Sequence, residues 1–296
     1  MLKWQQYPVS KIVRSCSQFP AILKEIPDYP KKLYFKGKLD IKKSHTLAII
    51  GSRRFTAYGK QVAENLIVGL AGYDIIIVSG LALGIDSIAH RVALQNKLTT
   101  WAVIGRGIDK VYPATHERLA CEIVENSGAV ITEEEAGTPA EPFRFPKRNR
   151  IIAGLSEAVL VIEAAERSGT LITANQALGY GRDVLAVPQN IFNLNGKGTN
   201  WLISQGAKLV QSPNDILQEL GIEAQNPKLK DLTNLSPLEK RIFEAISREE
   251  KSSDELSRRL KIKPEEANQY LMKMLLAGIV KRQTNGKFVI KIYNYF

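Results

Sequence analysis

With 296 residues, 44% hydrophobic and 24% charged, the chain suits one large domain or an ordinary domain plus a small appendage, and it is too apolar to be disordered. No run approaches the roughly 18 apolar residues of a membrane span, the stretch from Met1 to Pro8 lacks the apolar core of a signal peptide, and Cys16 and Cys121 match no C-x-x-C or zinc-ligand spacing, so a reduced, cytoplasmic protein is expected. The formal net charge of +11 favours a polyanionic partner, yet the ends carry it: residues 1–40 hold 8 basic and 3 acidic side chains, residues 226–296 hold 15 and 9, and residues 41–225 hold 18 of each.

In chain order, Phe19-Pro20 and Tyr29-Pro30 interrupt anything long in residues 1–40, which read as a short, partly ordered lead-in. From residue 46, β-branched runs alternate with helical patterns. The runs are Thr46–Ile50, Asp74–Val78, Thr99–Ile104, Ala129–Thr132, Ala158–Ile162, Asp183–Val187 and Ala207–Val210. Most are continuously apolar, as strands buried on both faces are. Between them, Lys60–Ala71, Gly84–Gln95 and Thr115–Asn126 place apolar residues three and four apart, as amphipathic helices do. The expected fold over residues 41–222 is therefore α/β, a doubly wound, mostly parallel sheet of extended Rossmann type. Asp183–Val187 is a candidate strand near the sheet edge, where a second copy could pair.

Periodicity lapses after Leu220, and residues 223–232 read as a linker. Beyond it, Ser236-Pro237, Ser252-Ser-Asp-Glu255 and Lys263-Pro264 each open a helix. Ile279–Arg282 and Lys287–Lys291 flank Asn285-Gly286 as a hairpin with a type I′ turn. Three helices and a hairpin outline a small winged-helix domain over residues 233–296.

Several central strands end in glycine and small polar residues: Gly51-Ser52-Arg53-Arg54, Ser79-Gly80 with Gly84, Gly105-Arg106-Gly107, Ser168-Gly169-Thr170, and Gly198-Thr199-Asn200. A parallel sheet gathers such turns on its carboxyl edge, where helix N-termini favour anions. Glycine there keeps a Cβ from holding phosphate away from the backbone amides. Arg53 and Arg54 add bidentate donors. The strongest local signal is Phe143-Arg144-Phe145-Pro146-Lys147-Arg148-Asn149-Arg150, just before an apolar helical stretch. Its cations suit phosphates and its aromatics suit unpaired bases, a combination that points to single-stranded nucleic acid.

Cofactor motifs are missing from the sequence: there is neither G-x-G-x-x-G nor G-x-x-x-x-G-K-[ST], so no cofactor is expected. Asp86 and His90, four apart on one helix, are read as a local structural pair and not as an acid–base dyad. No catalytic or metal site is assigned, and the protein is read as a binder, not an enzyme.

Ala48–Arg53, Val78–His90, Phe145–Ser156 and Ser168–Ala174 resemble the ordered signatures of the DNA-processing protein A (DprA/Smf) family, continuously over about residues 28–220. The C-terminal segment is similar to the small winged helix found there in many members. The resemblance implies a dimer that binds and protects incoming single-stranded DNA and loads RecA recombinase in natural transformation and homologous recombination. Carried over residue by residue, it implies phosphate contacts at Gly51, Ser52, Arg53, Lys147, Arg148 and Arg150, and a base contact at Phe145. The 40-residue lead-in is shorter than the helical SAM-like domain that some members carry.

Two alternatives remain at this point. Nucleotide phosphoribohydrolases resembling lysine decarboxylases carry G-G-x-G-T-x-x-E, but here Thr173 stands where their glutamate would be. A duplex-binding regulator would instead use Arg258, Arg259, Lys261, Lys263 and Lys273 of the winged helix.

Overall fold

The apolar runs assemble, in a computed structural model describing residues 3–40, 44–223, 235–247, 249–276, 279–283 and 285–290, into a nine-stranded sheet and a separate small unit. The chain divides between Ile222 and Glu223. In the larger unit the strands are β1 (Ser10–Val13), β2 (Lys32–Gly37), β3 (His45–Ile50), β4 (Ile75–Ser79), β5 (Thr100–Val103), β6 (Ala129–Thr132), β7 (Ala158–Val161), β8 (Asp183–Ala186) and β9 (Lys208–Leu209). Their order across the sheet is β1-β2-β6-β5-β4-β3-β7-β8-β9. The seven strands from β3 to β9 run parallel, while β2 runs antiparallel to both β6 and β1.

Helices cover both faces, which explains why the central strands are apolar throughout. Alternation along β3 shows the division. Ala48 and Ile50 face the layer of α4 (Arg144–Gly154), α5 (Gly169–Gly179) and α6 (Lys197–Ser204), whereas Leu47 and Ile49 face α1 (Ala57–Gly69), α2 (Ile85–Gln95) and α7 (Pro213–Glu219). The remaining helix, α3 (Glu117–Glu125), packs with Trp4, Ala102 and Val130.

The first forty residues are not a loose lead-in. They supply β1 and β2, and they bury Trp4, Phe19, Leu23, Ile26 and Leu33. Trp4 Nε1 donates to Ile108 O at 2.8 Å, and Lys36 Nζ donates to Trp4 O at 2.8 Å. These strands escaped the sequence pattern because each is short, charged and close to proline, and only the finished sheet makes their few apolar residues interior. Asp183–Val187 lies near the sheet edge: β8 pairs with β7 on one side and with β9, the edge strand, on the other.

The smaller unit contains α8 (Pro237–Ser247), α9 (Ser253–Leu260), α10 (Pro264–Leu276), β10 (Val280–Arg282) and β11 (Phe288–Ile290) around Ile242, Leu256, Leu271, Met274 and Phe288. Ser252 and Glu255 form a capping box at α9. In the β10–β11 turn, Gly286 has φ 79° and its N donates to Gln283 O at 3.1 Å, while Gln283 N donates to Lys287 O at 2.8 Å; the expected type I′ turn adjoins residue 284, which lies outside the described residues. Of the cations considered for duplex contact, Lys273 is held by Glu239 at 2.9 Å. The expected linker falls mostly outside the described residues.

Replacing Leu23 with Ala tests the first segment's place in the core. We expect a loss of about 2–5 kcal/mol in chemical denaturation, as for a buried leucine; a peripheral segment would lose less than about 0.5 kcal/mol.

Candidate functional site

Because β3, β4, β5, β7 and β8 point the same way, the loops leaving their carboxyl ends share one edge, and these loops with α4 and α5 enclose a cleft of about 800 Å³. Gly51, Ser52, Arg53 and Arg54 line it from β3; Phe145, Arg148 and Asn149 from α4; Ser168, Gly169 and Thr170 from the start of α5. Gly80 joins Arg53, Phe145 and Arg148 around an adjoining smaller hollow.

The β3 turn is folded by Ser52, whose hydroxyl accepts from Arg54 N at 3.1 Å and donates to Arg54 O at 2.9 Å. That turn leaves Arg53 and Arg54 exposed, and neither pairs with a carboxylate among the described residues. Gly84 supports the turn from below: it has φ 91°, a Cβ there would overlap Ser52 O, and the following Ile85 N donates to that oxygen at 3.2 Å.

Arg148 forms the cleft's floor. It is 6% exposed, its Nε has no partner among the described residues, and its guanidinium lies over the Cα of Gly80. Asp86, also buried, accepts from Gly80 N at 3.2 Å on the same spot. Burial pushes the Asp86 carboxyl up, against the pull of Arg148, and pushes Arg148 down to about 10, against the pull of Asp86. Arg148 remains a cation at neutral pH. Beside it, Tyr112 and Phe145 stack with centroids 5.4 Å apart at 30°, and Arg53 lies 5.6 Å over the Phe145 ring.

Other expected residues are placed elsewhere. The basic run does not precede a helix; it is the first two turns of α4, with Pro146 in the first turn where no amide need donate. Helical twist spreads its cations round the axis. Arg144 pairs with Glu134 at 2.6 Å and Glu141 at 2.9 Å, Lys147 with Glu134 at 3.1 Å and Glu133 at 3.4 Å, and Arg150 with Glu133 and, at 3.7 Å, Asp28. Of the run's four cations, Arg148 alone lines the cleft. Ser79 is buried and donates to Ile49 O at 2.6 Å.

The glycines also have a different explanation. At Gly51 a Cβ would overlap Ile85, and at Gly80 it would overlap the Arg148 guanidinium, so the protein itself excludes a side chain; Gly169 opens on free space. The α1 N-terminus is not an open anion site either, since the Glu163 carboxylate accepts from Thr56 N at 3.0 Å and from the Thr56 hydroxyl.

Sequence reasoning missed Tyr112 and Asn195 in the cleft lining. Tyr112 sits in a loop with no periodic signal, and Asn195 enters from a distant segment, donating to Arg54 O at 2.6 Å.

The "DNA recombination-mediator protein A" family profile matches residues 11–221, and the "DprA winged helix domain" profile matches residues 226–286. Protein Smf of Escherichia coli is 43% identical over 74% of this chain, the match spanning 59% of that protein's length. The DNA processing protein DprA of Streptococcus pneumoniae is 44% identical over 73% of this chain and 76% of its own, and its X-ray structure superposes with a TM-score of 0.68 over 73% of this chain and 75% of that one. A Helicobacter pylori DNA processing protein A, whose structure is described as giving insight into a unique single-stranded DNA binding mode, superposes with a TM-score of 0.64 at 30% identity, over 76% of this chain and 97% of its own.

Asp86 and His90 do not form the local pair that their spacing suggests. His90 Nδ1 lies 2.7 Å from Thr100 Oγ1, whose own proton goes to Ile77 O at 2.8 Å, so the imidazole carries its hydrogen on Nδ1 and donates it. Its Nε2 is buried without a partner among the described residues, and burial drives the pKa from 6.5 to about 3. A folded pKa below the unfolded one means that neutral His90 stabilises the fold fully above about pH 6.5, and this contribution is lost as pH falls from there towards 3. Gln at position 90 cannot take the proton. His90→Gln should therefore flatten the stability–pH slope between about pH 6 and 4 by close to one proton, read by denaturation at each pH; an unchanged slope would mean that His90 is not held neutral.

Proposed function

The chain belongs to the DNA recombination-mediator protein A family, and on that premise we propose that its cleft binds the sugar–phosphate chain of single-stranded DNA. One observation carries the reading. Three arginines without carboxylate salt bridges within 4 Å among the described residues, Arg53, Arg54 and Arg148, meet a stacked aromatic pair, Tyr112 and Phe145, at the edge where α5 begins. Cations and the α5 N-terminus suit phosphates in any sequence, while the aromatic pair offers a face to an unpaired base. A duplex keeps its base faces stacked and cannot use it. The single-stranded DNA binding described for the Helicobacter pylori relative supports the same assignment.

The finer parts of the proposal are that the protein shields incoming strands, acts as a homodimer and hands the strand to RecA recombinase in transformation and recombination. It acts there as a binder and not as a catalyst. Support for the last point comes from the cleft floor: Thr173 lines it where a nucleotide hydrolase would need a carboxylate, and Asp86, the carboxylate among the lining residues, accepts from Gly80 N.

Fluorescence anisotropy with labelled oligothymidine at several salt concentrations tests the proposal. Arg53→Ala should weaken binding and lower the salt slope by about 0.7, the value for one phosphate contact on a single strand. Phe145→Ala should cost about 1–3 kcal/mol of affinity and leave that slope unchanged. Parental binding by both variants would place the site outside the cleft.

A further inference from the structure

A second basic cup lies on the larger unit, away from the cleft. Val13, Arg14, Ser15, Lys24 and Lys31 enclose about 530 Å³ at the end of β1. None of its three cations has a carboxylate within 4 Å among the described residues. Instead Arg14 lies 4.1 Å over the Tyr29 ring, and Lys24 lies 5.9 Å over Phe19 while reaching Cys16 O at 3.5 Å. Both are steadied by ring faces and a backbone carbonyl and not by an acid, so their charges are not cancelled.

The segment's acids are sorted the other way. Glu25 pairs with Arg182 at 2.8 Å, and Asp28 accepts from Tyr180 at 2.7 Å and approaches Arg150 at 3.7 Å. Both carboxylates are thus engaged by α4, the end of α5 and the residues after it. Of the segment's cations, Arg14, Lys24 and Lys31 line the cup.

Strand direction fixes where the cup lies. β1 is antiparallel to β2, and β2 is antiparallel to β6, so β1 runs with the parallel strands and its carboxyl end, Val13, lies on the same edge as the cleft. Five strand spacings separate β1 from β3, roughly 25 Å at about 4.8 Å each. The acidic stretch after β6, which lies between them, is already neutralised: Glu133 and Glu134 by Arg144, Lys147 and Arg150, and Glu135 by Lys32.

We propose that this cup is a second phosphate-binding site, which holds a single DNA strand leaving the cleft along the carboxyl edge of the sheet. The inference rests on the cleft reading and extends it from one site to a track. A nucleic acid fits better than an acidic protein, because the cup offers cations with Val13 as its one apolar side chain and lies on the same sheet edge as the cleft.

The test compares oligothymidines of about 6 and about 30 nucleotides on the full-length protein, using the triple variant Arg14→Ala, Lys24→Ala, Lys31→Ala. The short strand should bind as in the parent. The long strand should bind several-fold more weakly, with its salt slope reduced by about 2, three contacts at about 0.7 each. The charge-conserving triple Arg14→Lys, Lys24→Arg, Lys31→Arg should restore long-strand affinity, which separates lost charge from damaged folding. Parental long-strand binding by the alanine triple, or equal weakening of both lengths, overturns the track. So does a poly-glutamate peptide that binds the parent and not the alanine triple while long-strand affinity is unchanged, since that reassigns the cup to a protein partner. Arg53→Ala run alongside keeps the readings apart: if it loses both strands while the alanine triple binds like the parent, the cleft stands and the second site falls.

Discussion

Arg148 is held over a glycine that has no room for a side chain, against a carboxylate that is itself hydrogen-bonded to that glycine's amide. The site depends on this arrangement. A buried guanidinium is expensive unless something opposes its charge, and a buried carboxylate is expensive for the same reason. Asp86 and Arg148 lessen each other's penalty without forming a close ion pair, so the guanidinium is tethered but not neutralised, with its Nε still unpartnered. Such a cation can meet a phosphate from a position it already occupies.

The rest of the cleft is arranged around that floor by strand direction. Parallel strands bring their carboxyl ends to one edge, which lets residues from β3, α4 and α5 meet although more than a hundred positions separate Gly51 from Thr170. Residues 41–225 have as many acids as bases, and the structure shows how they still make a basic site. Arg144, Lys147 and Arg150 are paired with Glu133, Glu134 and Glu141, whereas Arg53 and Arg54 ride on a turn and form no carboxylate salt bridge among the described residues. Local pairing, and not the count of charges, decides which cations face the cleft.

Much of this was legible in the sequence. Continuous apolar runs such as Thr46–Ile50 and Ala158–Ile162 identify central parallel strands because both faces are covered, and Ser252 with Glu255 marks a helix start through its capping chemistry. β1 and β2 were not legible. Lys32–Gly37 carries two lysines among only six residues, and its apolar positions gain meaning only beside β6. The site divided in the same way. Residues in strand-end motifs were found, but side-chain direction was not: nothing in Arg144 to Arg150 distinguishes the cation that turns inward from those that meet acids after β6. Tyr112 was hidden because stacking on Phe145 is a tertiary fact.

Photocrosslinking addresses the central claim most directly, with a 5-iodouracil-substituted oligonucleotide bound to the full-length protein and the adducts located by mass spectrometry. Halogenated pyrimidines react with the ring they stack on, so the account predicts adducts at Tyr112 and Phe145, at the mouth of the arginine-lined cleft. Adducts confined to residues 235–290, with none in the larger unit, would contradict it.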